Sequence, residues 1–193
     1  MADQLALFSD SPPSPVVPGL VLVHEAVSLA RETELAAMID AAPLTPFQFG
    51  QWEGKRLTAH YGSAYDYQRG RPTEAPPLPA WLLDLRDRLA PQLGRDPQGF
   101  VQGLLIRYDA GAGIGWHRDR PQYDEVIGLS LSAPATMRLR RRLPQGGFAR
   151  VNLALPPRSA YLLTGEVRWE WEHSIAPMAA TRRSITLRSM RGG

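Results

Sequence analysis

From residue 100 onward the chain is a succession of short β-rich runs (100–108, 126–132, 136–139, 150–155, 160–164, 169–175 and 184–188), separated by glycine and proline. That spacing fits an antiparallel sandwich or barrel and not a parallel α/β sheet, which would alternate strands with longer helical patterns. Before the runs stand a short β segment, 20–23, and two helical stretches. Ser28 is placed to cap the first, with Leu29, Leu35, Ala36, Met38 and Ile39 at helical spacing. The second covers about 79–93, with Trp81, Leu82, Leu85 and Leu89 on its apolar face and Arg86, Asp87 and Arg88 on its wet face. Residues 72–79 read as a stiff linker leading into it. Helices before a run of strands fit a helix-braced jelly roll: a mainly β, α+β fold.

The 193 residues suit one domain. Proline and serine crowd residues 9–18, so 1–18 is read as a flexible leader and 19–193 as the domain. No apolar stretch approaches membrane-spanning length, and Met1-Ala2-Asp3-Gln4 lacks the basic start of a secretory signal. The chain has no cysteine, which removes disulfides, thiolate zinc sites and cysteine nucleophiles. A cytoplasmic monomer is expected. Lys55 is the sole lysine among 22 basic residues. Because codon bias explains arginine abundance by itself, only the positions of the arginines carry information. They cluster at Arg69/Arg71, at 138–142, and at Arg182/Arg183/Arg188/Arg191.

Only four histidines are present. His117-Arg118-Asp119 follows a glycine-rich approach, and in an extended segment residues i and i+2 point to one side. His173 lies in a later β run. If the two strands are neighbours, His117, Asp119 and His173 offer two imidazoles and a carboxylate to one metal, the donor set of non-haem Fe(II) oxygenases. A structural histidine bonded to its neighbouring aspartate, or a zinc site, would use the same residues. His24, in the first β run, is read as structural, and His60 as orienting a neighbour. Arg182 and Arg188 stand six apart in a β run and therefore share a face. Two guanidiniums turned the same way and buried need anions, such as a dicarboxylate; on an edge strand they would simply be solvated.

Together these residues resemble the AlkB family of Fe(II)- and 2-oxoglutarate-dependent dioxygenases. The likeness runs from about Phe100 to Arg188. It comprises Arg107-Tyr108, the glycine-rich turn into His117-x-Asp119, Ser130-Leu131-Ser132, Gly165 and Arg168 ahead of His173, and Arg182-x-Ser184-x-Thr186-x-Arg188. The resemblance implies a double-stranded β-helix in which His117, Asp119 and His173 hold Fe(II). It further implies 2-oxoglutarate anchored by Tyr108, Arg182 and Arg188, with O2 as second cosubstrate and oxidative dealkylation as the reaction. Two positions depart from the family. Ile106 stands where an asparagine often helps bind 2-oxoglutarate, and Pro121 where nucleic-acid-repairing members often carry a base-reading acid.

Between the helices, residues 52–67 interleave basic and aromatic side chains, as expected where bases stack and phosphates are neutralised. Tyr61-Gly62-x-x-Tyr65-x-Tyr67 resembles the substrate lid of AlkB-type enzymes, here about 47–71. By that likeness Tyr67 stacks on the base, Tyr65 hydrogen-bonds nearby, and Arg56 and Arg69 face phosphates; an aromatic hairpin packed on the core is the plainer account. Arg138 and Arg140 would share a strand face that tracks phosphate, or one that is merely solvated. Gln4-Leu5-Ala6-Leu7-Phe8 resembles the peptide by which bacterial repair proteins dock on the sliding clamp. The expected partner is alkylated DNA or RNA. The alternatives are the same oxygenase acting on a methylated protein or small molecule, or a non-catalytic barrel with a structural metal.

Overall fold

The computed structural model describes residues 17–49, 52–66 and 71–192. The candidate clamp peptide, Tyr67 and Arg69 lie outside these residues, and of Tyr65 only the backbone is described. Val17, at the end of the expected leader, is buried in the core. Strand β1 (Leu20–Val23) leads into helix α1 (Leu29–Ala41), which the Ser28 hydroxyl caps by accepting from the Arg31 amide at 3.2 Å. His24 falls just beyond β1 and is exposed, so it is not part of the strand. Leu35 and Ile39, one turn apart, are fully buried.

Next come β2 (Thr45–Phe49), β3 (Trp52–Tyr61), β4 (Ser63–Asp66) and β5 (Arg71–Glu74). The stretch read as a linker from residue 72 therefore begins as a strand. Proline is tolerated there because β4 and β5 form an isolated two-stranded ribbon, all edge. Helix α2 covers Ala80–Leu89, and a separate 3-10 turn follows at Pro91–Leu93. Pro91 has no amide hydrogen to donate, which divides the single helix expected over 79–93.

The remaining strands are β6 (Phe100–Tyr108), β7 (Ile114–His117), β8 (Tyr123–Leu131), β9 (Ala135–Arg142), β10 (Phe148–Leu155), β11 (Ala160–Leu163), β12 (Glu172–Ile175) and β13 (Arg182–Met190). The expected run at 169–175 is split. Its first residue ends a short helix, α3 (Gly165–Trp169), and only Glu172–Ile175 is strand. The run expected at 136–139 is longer than that, and β9 takes in all the arginines at 138–142.

Seven strands form a larger sheet in the order β1-β11-β8-β13-β6-β3-β2, and four form a smaller one, β10-β9-β12-β7. Every pairing is antiparallel. Two antiparallel sheets with helices on one outer face make the expected braced jelly roll.

Side-chain parity positions everything else. On the larger sheet Leu105, Ile127, Leu129, Ile185 and Leu187 point toward α1 and α2 and are fully buried with Leu35, Leu82 and Leu85. Burying each such side chain contributes about 1.5–3 kcal/mol. At Gly103 a Cβ would come within 2.7 Å of Leu82, so the lack of a side chain lets α2 sit against β6. The alternate residues Leu104, Ile106, Tyr108, Arg182, Ser184, Thr186 and Arg188 face the other way and line a cavity. A second apolar cluster, with Met137, Leu139, Leu153, Leu155 and Trp171, fills the space beside that cavity.

Candidate active site

The cavity is about 800 Å³. β7 and β12 pair so that His117 and His173 are direct cross-strand neighbours, and their ring centroids are 4.2 Å apart. Asp119, two residues past His117, comes to the same side, with Oδ2 at 3.7 Å from His173 Nε2. Main-chain register thus gathers the three residues expected as metal ligands. His117 Nδ1 is 2.9 Å from the Gly115 carbonyl, so a proton there leaves Nε2 with its lone pair for a cation.

Burial pushes the His173 imidazole down to about 3, with the His117 ring adding to the effect. Burial also lowers His117, opposed by the Asp119 charge. Both rings are therefore neutral near pH 7, the state in which imidazole ligates metal. Burial alone would raise the Asp119 carboxyl. The charge of Arg188, aided by the histidines, outweighs it and holds the group well below the usual carboxylate range. Among the described residues no three such side chains close into a finished metal cage. The donor set nonetheless fits Fe(II) in kind: two neutral imidazoles, one ionised carboxylate, and room beside them.

The two arginines differ more than their symmetry in sequence suggested. Arg188 is fully engaged, with Nε and Nη2 donating to Asp119 Oδ1 at 3.0 and 2.8 Å and Nη1 donating to Gln102 Oε1 at 3.0 Å. Arg182 is 1% exposed, yet among the described residues it makes one hydrogen bond of 3.3 Å, to Ser130 Oγ, and lies 5.3 Å from the Tyr108 ring. Among the described residues no carboxylate neutralises it. A buried, unneutralised guanidinium is costly, and a carboxylate ligand would offset that cost. The demand for an anion therefore falls on Arg182 first. Its register partner across β13 and β6 is Tyr108, buried beside it.

Gln102 and Tyr161 carry no motif and escaped notice in the sequence. Gln102 is completely buried and orients Arg188. Its signal was a polar residue among the otherwise largely apolar even positions of β6, ahead of Leu104, Ile106 and Tyr108. Tyr161 lies over Gly128, where an added Cβ would come within 2.1 Å of the ring. Burial pushes its phenol up to about 12, so it stays a neutral hydroxyl. Arg168 donates through Nη2 to the Arg120 and Tyr123 carbonyls, fastening the loop after Asp119, while its Nε is buried with no partner among the described residues. Ile106 and Pro121, the two departures, both line the cavity.

Of the expected substrate residues, Arg56 lines the cavity and holds its guanidinium 3.7 Å over the Phe47 ring. His60 lines it too. Burial, then the charges of Arg188 and Arg56, push that imidazole down to about 4.

Residues 41–192 match the family model of the 2OG-Fe(II) oxygenase superfamily. The chain is 30% identical over 178 residues to the tRNA (carboxymethyluridine(34)-5-O)-methyltransferase ALKBH8 of Macaca fascicularis, covering 88% of this chain and 26% of that protein. It is also 30% identical over 185 residues to the alkylated DNA repair protein ALKBH8 homolog of Arabidopsis thaliana, covering 82% of this chain and 51% of that one. The chain thus spans about a quarter to a half of the length of these curated relatives. The solved structure of OsALKBH1 superposes with a TM-score of 0.68 at 14% identity, over 92% of this chain and all of that one. That likeness is one of fold.

Proposed function

This chain belongs to the 2OG-Fe(II) oxygenase superfamily with AlkB homologues among its relatives, and from that premise we propose that it removes alkyl groups from nucleic-acid bases by oxidative dealkylation. It is a 2-oxoglutarate-dependent dioxygenase. One observation carries the reaction class: the buried Arg182, with no carboxylate beside it among the described residues, opens on the same cavity as His117, Asp119 and His173.

His117, Asp119 and His173 would hold Fe(II), and Arg182 with Tyr108 would hold the 2-oxoglutarate carboxylate. Bound iron supplies hydroxylation of a C–H bond by O2, coupled to conversion of 2-oxoglutarate into succinate and CO2; an N-methyl group so hydroxylated leaves as formaldehyde. The chain's own residues orient and exclude. Arg188 keeps Asp119 ionised, Gln102 keeps Arg188 in place, and Arg168 fixes the loop that follows Asp119. Leu104, Ile106 and Ile114 make the walls apolar and keep water away from the reacting carbon.

A nucleic-acid substrate is supported by the Arg56–Phe47 pair on the cavity wall and by relatives whose names carry tRNA and alkylated DNA repair. Tyr65, Tyr67 and Arg69 are the further substrate contacts in this proposal, with base preference altered by Pro121. Docking of the Gln4–Phe8 segment on a sliding clamp, a monomeric state and a cytoplasmic location belong to the same proposal. Among the described residues no helix is long and apolar enough to cross a membrane.

The test offers methylated DNA and RNA oligonucleotides and methylated peptides to the protein with Fe(II) and 2-oxoglutarate, and reads succinate and demethylated product by mass spectrometry. Oligonucleotide demethylation that disappears in His117→Ala, Asp119→Ala and His173→Ala is expected. Demethylation of peptides alone would transfer the chemistry to protein. No succinate under any condition would end the enzymatic proposal.

A further inference from the structure

The outer face of the smaller sheet has no part in the cavity chemistry, yet it carries an unusual array. In β9 the buried Met137 and Leu139 alternate with Arg138, Arg140 and Arg142, so three guanidiniums project on the side away from the core. Register adds Asn152, Arg150 and Phe148 of β10 directly opposite them. Trp116 of β7 reaches the same group. Arg140 lies 4.3 Å from the Trp116 ring and 4.6 Å from Phe148. Arg138 is 5.2 Å from Trp116, while Arg142 and Arg150 are 5.5 and 5.4 Å from Phe148.

Four cations are thus gathered around two rings, and the described carboxylates neutralise one of them, Arg140, through Glu172 at 2.6 Å. Arg138 donates to the Ser174 hydroxyl. Arg142 and Arg150 are exposed and meet no carboxylate among the described residues. A sheet face that only had to stay soluble would intersperse the two signs of charge, because like charges on facing strand positions repel. Here the repulsion is retained, and the aromatic rings hold the guanidiniums in place.

This face also joins the active site. A groove of about 570 Å³ is lined by Arg118, Arg140, Arg141, Arg142, Phe148 and Trp169, with Glu170 and Glu172 as its acids. Arg118 and Trp169 line the catalytic cavity as well, so the two hollows meet at a shared rim. From Arg138 to Arg142 the strand covers about 13 Å.

Building on the nucleic-acid proposal, we infer that this arginine–aromatic face is the track for the sugar–phosphate backbone of the strand whose base occupies the cavity. Phosphates pair with Arg142 and Arg150 and the chain passes the Arg118–Trp169 rim. Such a track reads charge, not sequence, and releases counterions on binding.

The experiment compares the wild-type protein with Arg142→Ala/Arg150→Ala, both positions exposed and neither lining the catalytic cavity. Binding of a fluorescein-labelled single-stranded oligonucleotide of 15 nucleotides is followed by anisotropy across salt concentrations. The variant is expected to bind about tenfold more weakly. Its slope of log K against log salt should be shallower by about 1.4, the value for two lost single-strand phosphate contacts. Its melting temperature and its succinate formation on a methylated trinucleotide, too short to reach the track, should match wild type. A wild-type protein that binds in a salt-dependent manner beside a variant with unchanged affinity and slope overturns the track alone. A wild type that binds no oligonucleotide at any salt concentration overturns the nucleic-acid proposal, and the track with it.

Discussion

Asp119 Oδ1 accepts from both Nε and Nη2 of Arg188, at 3.0 and 2.8 Å, while Oδ2 of the same carboxylate lies 3.7 Å from His173 Nε2. One oxygen is given to the arginine and the other is left toward the histidines. The arginine that sequence assigns to a cosubstrate is therefore also the group that keeps the metal-binding acid ionised.

Breaking that pair should be costly, because it strands a buried charge. Arg188→Met is expected to lose about 3–5 kcal/mol in urea unfolding of the metal-free protein. In Asp119→Asn/Arg188→Met, with no charge left to strand, part of the loss should return. Strictly additive single and double variants would show that the two side chains do not depend on each other.

Arg182 predicts the opposite pattern. Arg182→Met removes a buried cation that no described carboxylate neutralises, so stability without ligand should be unchanged or higher. Affinity for 2-oxoglutarate, read by calorimetry on metal-loaded protein, should fall about ten- to a hundredfold, and the thermal stabilisation that the ligand confers on wild type should vanish. A variant still stabilised by 2-oxoglutarate would remove Arg182 from the binding site.

Gly128 exists to make room for Tyr161. A methyl group there would sit 2.1 Å from the ring, a contact that forces the tyrosine aside. Gly128→Ala should destabilise by about 1–3 kcal/mol. Gly128→Ala/Tyr161→Leu, with the ring shortened, should recover most of it. Failure of the second change to help would mean that the strand backbone, not the ring, resists the methyl group.

His60 gives a pH signature. Its folded pKa of about 4 lies below the ordinary 6.5, so below pH 6.5 the unfolded chain takes up a proton that the folded one refuses. Its contribution is complete above pH 6.5 and is lost as pH falls toward 4, the loss reaching about 2.5 kcal/mol by pH 4.5. His60→Gln should lose less stability than wild type between pH 7 and 4.5 in parallel unfolding titrations. Identical titrations would place the acid sensitivity elsewhere.

The capped helix at Ser28, the strand at 100–108 and the shared face of Arg182 and Arg188 were all legible in the chain, because periods of 3.6 and 2 are local properties of the backbone. Where a local rule met a competing one, the expectation shifted. Pro91 cut a helix whose apolar spacing continued past it. Trp169, β-like by composition, closed a helical turn begun at Gly165. The arginines of β9 extended a strand because its exposed face tolerates charge at alternate positions.

By itself, then, the sequence determined the alternation of faces, the residue types able to bind a cation and a dicarboxylate, and the order in which they appear. Tertiary structure alone decided who meets whom: that His117 lies opposite His173, that Asp119 is shared between Arg188 and the histidines, that Gln102 stands behind Arg188, and that Arg182 meets no acid among the described residues. Register between strands far apart in the chain is set by packing of the whole sheet, and the electrostatic state of a buried group depends on neighbours that no local pattern names.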